Sequence, residues 1–330
     1  MTGHIDPLGA TADVVSDERR PTPGPIAVLP ESNPLFVDAI EAGGGTVGEL
    51  SDDTRGVVWL TASLPDHLQA VLDSHPKIEW VQLPWAGVDA FSGLLATYTD
   101  KPLPLWTSAK GAYSEPVAEH ALALTLALLR GLPQKAHATS WAKEEIGLSL
   151  FGRNVVIVGA GGIAVEIMRL LAPFRVKVTI VRRSSAPLAG ADRTVAAADL
   201  LEVLPGADVV ILAAASTGDT AKMFGAAQFA AMKPSSVLVN IARGALVDTD
   251  ALVAALAAGE IDGAGLDVTA PEPLPDGHPL WTEPRCIITS HSADTKAMTN
   301  PLLAGRISTN VKALLETGRF VGVVDVAAGY

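Results

Sequence analysis

The chain has 330 residues, 48% of them hydrophobic, and a formal net charge of −12 at pH 7, enough for two domains with a buried core each. Residues 1–100 hold 15 Asp or Glu against 4 Lys or Arg, so the acidic excess is concentrated there, and neither nucleic acid nor an anionic membrane surface is an expected partner. An anionic substrate has to be drawn in by local cations against the overall field.

Cys286 is the only cysteine, which excludes a disulfide framework and a thiolate metal site; it reads as a buried small hydrophobe, and no metal is expected. No apolar leader precedes a small-residue cleavage site. The longest apolar runs, Ala121 to Leu129 and Val209 to Ala215, fall far short of the ~20 residues that span a bilayer. A cytoplasmic protein away from membranes is expected.

Residues 1–25 show no amphipathic period and end in a Pro/Gly cluster, so they are set outside the fold as a disordered tail. Apolar runs at Ile26–Leu29, Val57–Leu60, Ile78–Leu83 and Leu103–Trp106 alternate with helix-like stretches at Pro34–Ala42 and Asp66–Ser74, predicting a first βα sheet. From Ser114, an N-cap candidate, the segment is apolar on nearly every face up to Gly131-Leu132-Pro133, predicting a long helix buried between layers. A second series then presents six strands, NVVIV (154–158), VKVTIVRR (176–183), ADVVILAAA (207–215), SSVLVNIAR (235–243), IDGAGLDV (261–268) and RCIITSH (285–291), at the spacing of a doubly wound parallel sheet. The chain then turns helical over Asn300–Glu316 and closes with RFVGVVDV (319–326). The expected architecture is α/β: a Rossmann domain over 110–292 inserted into a second α/β substrate domain over 26–109 and 293–330, with hinges near 108–112 and 290–296.

Gly159-Ala160-Gly161-Gly162-Ile163-Ala164 follows the first strand of the second series and opens a helix. In that setting the glycines permit a tight turn and close approach of backbone N–H groups to a pyrophosphate at the helix N-terminus. The next strand ends in Arg182-Arg183-Ser184-Ser185, with no acid until Asp192. An NAD site places an acid near there for the ribose diol, whereas two guanidiniums and two hydroxyls suit a 2′-phosphate. NADP(H) is expected ahead of NAD(H).

Arg243, Glu272 and His291 are spaced by 29 and 19 residues, each after one of the last three apolar runs. If those runs are successive parallel strands, all three emerge at one carboxyl edge, where open α/β sheets bind ligands. Hydride addition to a 2-oxo acid leaves an alkoxide that must be protonated, a task for His291. Glu272 would favour the imidazolium, and the fork of Arg243 would hold the substrate carboxylate and polarise the carbonyl. His120, on the long helix, is expected to be a hydrogen-bonded structural histidine.

These residues resemble the D-2-hydroxyacid dehydrogenase family. The likeness runs through LPWAGVD (83–89), VAEHALAL (117–124), GAGGIA (159–164), MKPSSVLVNIARGALVD (232–248), GAGLDVTAPEPLP (263–275), HPLW (278–281) and ITSH (288–291). It implies Arg243, Glu272 and His291 as the catalytic set and a flavodoxin-like fold for the substrate domain. It also implies a homodimer and small 2-oxo acids of the glyoxylate or hydroxypyruvate type as substrates. Asp267 would meet the nicotinamide carboxamide, completing a cofactor set of Gly159, Gly161, Gly162, Ile163, Arg182, Arg183, Ser184, Ala242 and Asp267. The loop from Leu83 to Val88 would set specificity, with Trp85 as a wall and the N–H groups of Ala86 and Gly87 open to a carboxylate. Trp141 would either reach a neighbouring subunit's site or pack in the dimer core. Ser216-Thr217-Gly218-Asp219-Thr220, Ala270, Ser108 and Lys110 depart from the family pattern. A dinucleotide-sensing, corepressor-like binding protein on the same fold is the alternative to the enzyme.

Overall fold

A computed structural model describes residues 12–136, 138–141, 143 and 145–327; the part of the expected tail over residues 1–11 lies outside them. The chain divides into two compact units, one running to Ser114 and resuming at Thr295, the other Glu115–Asp294.

The first unit begins with β1 (Asp13–Val14). It continues through β2 (Ile26–Leu29), α1 (Pro34–Ala42), β3 (Gly56–Trp59), α2 (Pro65–Ser74), β4 (Trp80–Gln82), α3 (Ser92–Ala96) and β5 (Leu105–Thr107). Strands β2 to β5 pair in parallel in chain order, and Val47 adds a parallel bridge to Ile26 outside β2. Counting that rudimentary strand, the order is 2-1-3-4-5, the flavodoxin-like arrangement. Alternation is weak in these strands because both faces are covered; Trp59, Trp80 and Trp106 are all buried. Asn33 accepts the Leu35 N–H at 3.0 Å and Pro34 opens α1, a start that the sequence announces.

The second unit holds α4 (Ser114–Leu129, its first residue in the other unit), α5 (Leu132–Ala136), β6 (Asn154–Val158), α6 (Gly162–Leu171), β7 (Lys177–Arg182) and β8 (Arg193–Ala196). After these come α7 (Leu200–Val203), β9 (Val209–Leu212), α8 (Ala226–Ala231), β10 (Val237–Asn240), α9 (Thr249–Ala258), β11 (Gly263–Leu266) and β12 (Cys286–Ile288). The sheet order is β12-β11-β10-β9-β6-β7-β8, all parallel. This is the 3-2-1-4-5-6 order of a doubly wound nucleotide-binding fold with a seventh strand added. The chain returns to the first unit through α10 (Lys296–Lys312) and β13 (Arg319–Phe320), which pairs antiparallel with β1.

Several expectations are corrected. Asp13 and Val14 are part of the fold, paired with Phe320 and Arg319; two residues are too few to carry a period. The sheet of the second unit has seven strands, because the half-exposed edge strand β8 has no apolar run. Ser114 is the first helical residue and its buried hydroxyl has no partner among the described residues, so it caps nothing. Helix α4 is not covered on every side: Glu119 and Ala123 are exposed, and Leu122, Leu126 and Ala127 are half-buried. Helix α10 starts four residues ahead of Asn300, with Pro301 inside it; proline reads as a first-turn residue. The units divide after Ser114, two residues past the first expected hinge, and after Asp294, within the second. Arg306 Nη1 ties the Ser108 and Lys110 carbonyls to α10 at 3.0 and 2.9 Å, and Asp267 holds Ala293 in the second unit.

Candidate active site

The last three strands of the seven-stranded sheet end in three loops that lie against one another. At the end of β10, the fully buried Asn240 accepts the Ala242 N–H at 3.1 Å and donates to the Arg243 carbonyl at 3.0 Å. That amide clamps the turn that presents Arg243, whose Nη1 donates to the Ala242 carbonyl at 2.7 Å. A Cβ on Gly244 would stand 1.8 Å from the Thr269 carbonyl oxygen; only glycine lets the loop after β10 approach the loop after β11. The second loop carries Glu272. Thr249 donates to the Ala270 carbonyl at 2.5 Å and Thr269 to the Pro271 carbonyl at 2.8 Å, so the segment before Glu272 is pinned to α9.

His291 follows β12 in a strained backbone. Ser290 and His291 have φ of 50° and 54°, a left-handed conformation that costs of order 1–3 kcal/mol per non-glycine residue and persists only where the surroundings over-determine it. Asp267 supplies that determination. Its carboxylate, 2% exposed, accepts the Thr289 hydroxyl at 2.6 Å and the N–H groups of Ser292 and Ala293 at 2.9 and 3.1 Å. Its carbonyl accepts the His291 N–H at 2.6 Å, and the Ser292 hydroxyl closes onto the Thr289 carbonyl. Since the Thr289 proton is spent on Asp267, His120 Nε2, 2.9 Å from that hydroxyl oxygen, is the donor. His120 therefore stands behind the anchor in its Nε2–H form. The outcome is a His291 Nδ1 to Glu272 Oε1 distance of 2.6 Å, with the two side chains 48% and 42% exposed. Arg243, Glu272 and His291 thus gather at the carboxyl ends of three adjacent parallel strands. A carboxylate on Nδ1 fixes the ring and leaves Nε2 to exchange a proton.

The dinucleotide end of the same edge lies at the switch point between β6 and β9. Gly159 has φ +123°, and a Cβ there would meet the Ala213 carbonyl oxygen at 2.3 Å. Around Gly161 a Cβ would meet nothing within 4 Å, and no side chain caps α6, which begins at Gly162 and Ile163. An open space in front of uncapped helix N–H groups fits a pyrophosphate. The pairing of Val158 with Val181 sets Arg182 beside Gly159, and the Arg182 side chain has no hydrogen bond or ion pair among the described residues. Arg183 and Ser184 follow it, exposed. Asp192 is not a ribose ligand: it accepts the Val178 N–H at 2.7 Å, at the other end of β7. Ala242 is buried at the end of β10. Thr217 and Thr220 close the 216–220 loop on itself, Thr217 N–H to Thr220 Oγ1 at 2.8 Å.

In the first unit, Trp85, Ala86 and Gly87 follow β4, half-buried. Trp85 packs edge-on against Tyr113 with centroids 6.2 Å apart, and the Tyr113 hydroxyl donates to the Pro84 carbonyl at 2.6 Å. Among the described residues no acceptor meets the N–H of Ala86, Gly87 or Val88. Trp141 is 95% exposed. Cys286 is half-buried, not fully so, and burial pushes its thiol up to about 12, leaving it unreactive near neutrality. Sequence reading missed Asn240 and the anchoring duty of Asp267; apart from the Thr289 hydroxyl on Asp267, the partners that fix these turns are backbone groups that no side-chain spacing reveals.

Residues 122–293 match the family described as D-isomer specific 2-hydroxyacid dehydrogenase, NAD binding domain. The chain belongs to the D-isomer specific 2-hydroxyacid dehydrogenase family. It is 40% identical over 264 residues to an uncharacterised protein of the proB 3′ region of Corynebacterium melassecola, covering 78% of this chain and 86% of that one. It is 33% identical to the human glyoxylate reductase/hydroxypyruvate reductase, covering 74% of this chain and 76% of that one. A solved NADPH-dependent glyoxylate/hydroxypyruvate reductase of Sinorhizobium meliloti, in complex with NADP and malonate, superposes with a TM-score of 0.71 at 27% identity. That likeness covers 93% of this chain and 98% of the other. This 2-hydroxyacid dehydrogenase therefore works with a nicotinamide cofactor, and no helix among its described residues is long and apolar enough to cross a membrane.

Proposed function

We propose that this dehydrogenase reduces a small 2-oxo acid of the glyoxylate or hydroxypyruvate type to the D-2-hydroxy acid, preferring NADPH. The observation that carries the reading is the 2.6 Å contact of His291 with Glu272 on the same sheet edge as Arg243. In this reading Arg243 holds the substrate carboxylate and polarises the carbonyl with its paired donors. The reduced nicotinamide supplies the hydride when bound. His291 donates its Nε2 proton to the oxygen that becomes the hydroxyl, while Glu272 holds the ring through Nδ1. Gly159, Gly161, Gly162 and Ile163 would cradle the pyrophosphate, and Ala242 would belong to the nicotinamide end of the site. The second unit acts as the dinucleotide-binding domain and the first as the substrate domain, with Trp85, Ala86 and Gly87 in its specificity loop.

Arg182, Arg183 and Ser184 support the cofactor preference, since no acid follows them in the sequence until Asp192, which accepts the Val178 N–H, whereas a free ribose diol calls for a carboxylate near the end of this strand. A cytoplasmic homodimer completes the reading. The open apolar face of α4 continues into a groove of about 400 Å³ lined by Ala127, Leu132, Pro133, Trp281 and Ile288, which a second copy of the chain would cover.

The test is a panel of initial rates with glyoxylate, hydroxypyruvate and pyruvate, each with NADPH and NADH, at two salt concentrations. NADPH is expected to give the higher kcat/KM at low salt, with the advantage shrinking as salt screens the arginines and reversing toward NADH in Arg182→Asp. Tight NADPH binding with no turnover of any 2-oxo acid would instead mark a cofactor-sensing protein.

A further inference from the structure

Three residues beyond His291 stands a carboxyl group that the proposed reaction does not use. Asp294 ends the second unit, directly after Ser292 and Ala293, whose N–H groups are bound by Asp267. The backbone that presents His291 therefore also fixes the position of Asp294. The residue is half-buried and has no hydrogen bond or ion pair among the described residues. The charges that act on it are His291 on its own turn, Asp267 from the end of β11 and Arg243 from the end of β10. Burial pushes its carboxyl up to about 6, aided by Asp267 and opposed by His291 and Arg243. A sheltered carboxyl without donors costs stability, and such groups collect at sites that meet a ligand.

The positions of the neighbours narrow what that ligand group is. In the proposed reaction Arg243 takes the C1 carboxylate and His291 the C2 oxygen. Asp294 lies three residues beyond His291 on the same anchored turn, and the charges of both groups act on it, so the part of the substrate left for it is the substituent beyond C2. An ionised carboxylate can only accept hydrogen bonds, and a like charge placed against it is penalised.

We propose that Asp294 is a specificity-determining residue: it receives a hydroxyl or ammonium donor on the carbon next to the carbonyl, and it turns away 2-oxo acids that carry a second carboxylate. The inference rests on the assignment of Arg243 and His291 above. Three probes separate its parts: hydroxypyruvate has the donor, pyruvate has none, and oxaloacetate has a second carboxylate.

The experiment measures kcat/KM for these three with NADPH, in wild type, Asp294→Asn and Asp294→Ala, at pH 5.5 and 7.5. In wild type the ratio of hydroxypyruvate to pyruvate is expected to rise with pH as Asp294 ionises. Asp294→Ala should cut that ratio by about tenfold, the worth of a hydrogen bond to a charged group, and raise oxaloacetate turnover relative to pyruvate. Asp294→Asn keeps an acceptor and loses the charge, so it should release oxaloacetate while retaining part of the hydroxypyruvate preference.

Folding is checked by thermal melts of the same variants. The folded chain raises this carboxyl from its ordinary 3.8 to about 6, so ionisation costs stability as pH rises through that window and costs none below it. Asp294→Asn should melt higher than wild type at pH 7.5 and equal to it at pH 3.5. Substrate ratios unchanged in both variants would overturn the inference alone. Absence of turnover of every 2-oxo acid by the wild type would overturn the underlying reading and the inference with it.

Discussion

The two ends of the seven-stranded sheet treat charge in opposite ways. At the amino end, Asp208 before β9 accepts the Asn154 N–H and Lys233 Nζ, each at 2.9 Å, with Arg153 at 3.7 Å. Burial pushes its carboxyl up, and these donors more than offset that, holding it below the usual carboxylate range. Asp192 accepts Val178 there, and Arg285 meets Glu283 at 3.0 Å. At the carboxyl end the side chains of Arg182 and Asp294 have no such partner among the described residues, and the pair of His291 with Glu272 stands in the open. The first end uses charge to hold the fold; the second, beyond the buried anchor Asp267, keeps charge available for something that arrives. The price of the second arrangement is visible in the backbone, where Ser290 and His291 adopt positive φ.

The largest expected effect is at the open end. Arg243→Ala should lower kcat/KM for the true substrate by roughly 10²–10⁴, through both KM and kcat, because in the proposed reaction the guanidinium would bind the carboxylate in the ground state and the growing negative charge in the transition state. Steady-state kinetics check this, and a wild-type KM in the variant would break the contrast. Next in size is Gly159→Ala. Its methyl would stand 2.3 Å from the Ala213 carbonyl in a conformation that alanine disfavours, so NADPH affinity should fall by at least about tenfold, measured by fluorescence titration. The smallest effect belongs to the closed end. A carboxylate whose folded pKa is depressed adds stability above its unfolded value and loses it as pH falls through the folded one. Asp208→Asn should therefore melt below wild type at pH 7, with the gap closing as pH drops under about 4. A gap that persisted at low pH would show that Asp208 holds the sheet by shape and not by charge.

The two ends were not equally legible in the sequence. Strand β2 and helix α1 fall on the residues that their apolar run and Asn-Pro start announce, and the last three strands of the sheet bring Arg243, Glu272 and His291 to one edge as their spacing requires. What stayed hidden depends on contacts between distant backbone groups. Asp267 anchors Ser292 and Ala293 across 25 and 26 residues, and Asn240 works on its own turn. The backbone partners of both carry no side-chain signature, and the one side-chain hydrogen bond of Asp267, from Thr289, gives no periodic spacing. Edge strand β8 and the bridge at Val47 escaped because a half-exposed or single-residue pairing needs no apolar run. The open face of α4 escaped for the opposite reason, since apolar residues read as covered even where a single chain does not cover them.

In the proposed reaction the carboxyl end of this sheet performs the chemistry through His291, on a turn built by Asp267 and apart from the cofactor cradle. The most direct measurement is single-turnover reduction of hydroxypyruvate by NADPH-saturated His291→Ala, with NADPH affinity determined on the same preparation. The account predicts a rate lower by roughly 10²–10⁴ with an NADPH Kd within about twofold of wild type. A wild-type rate in the variant would contradict it.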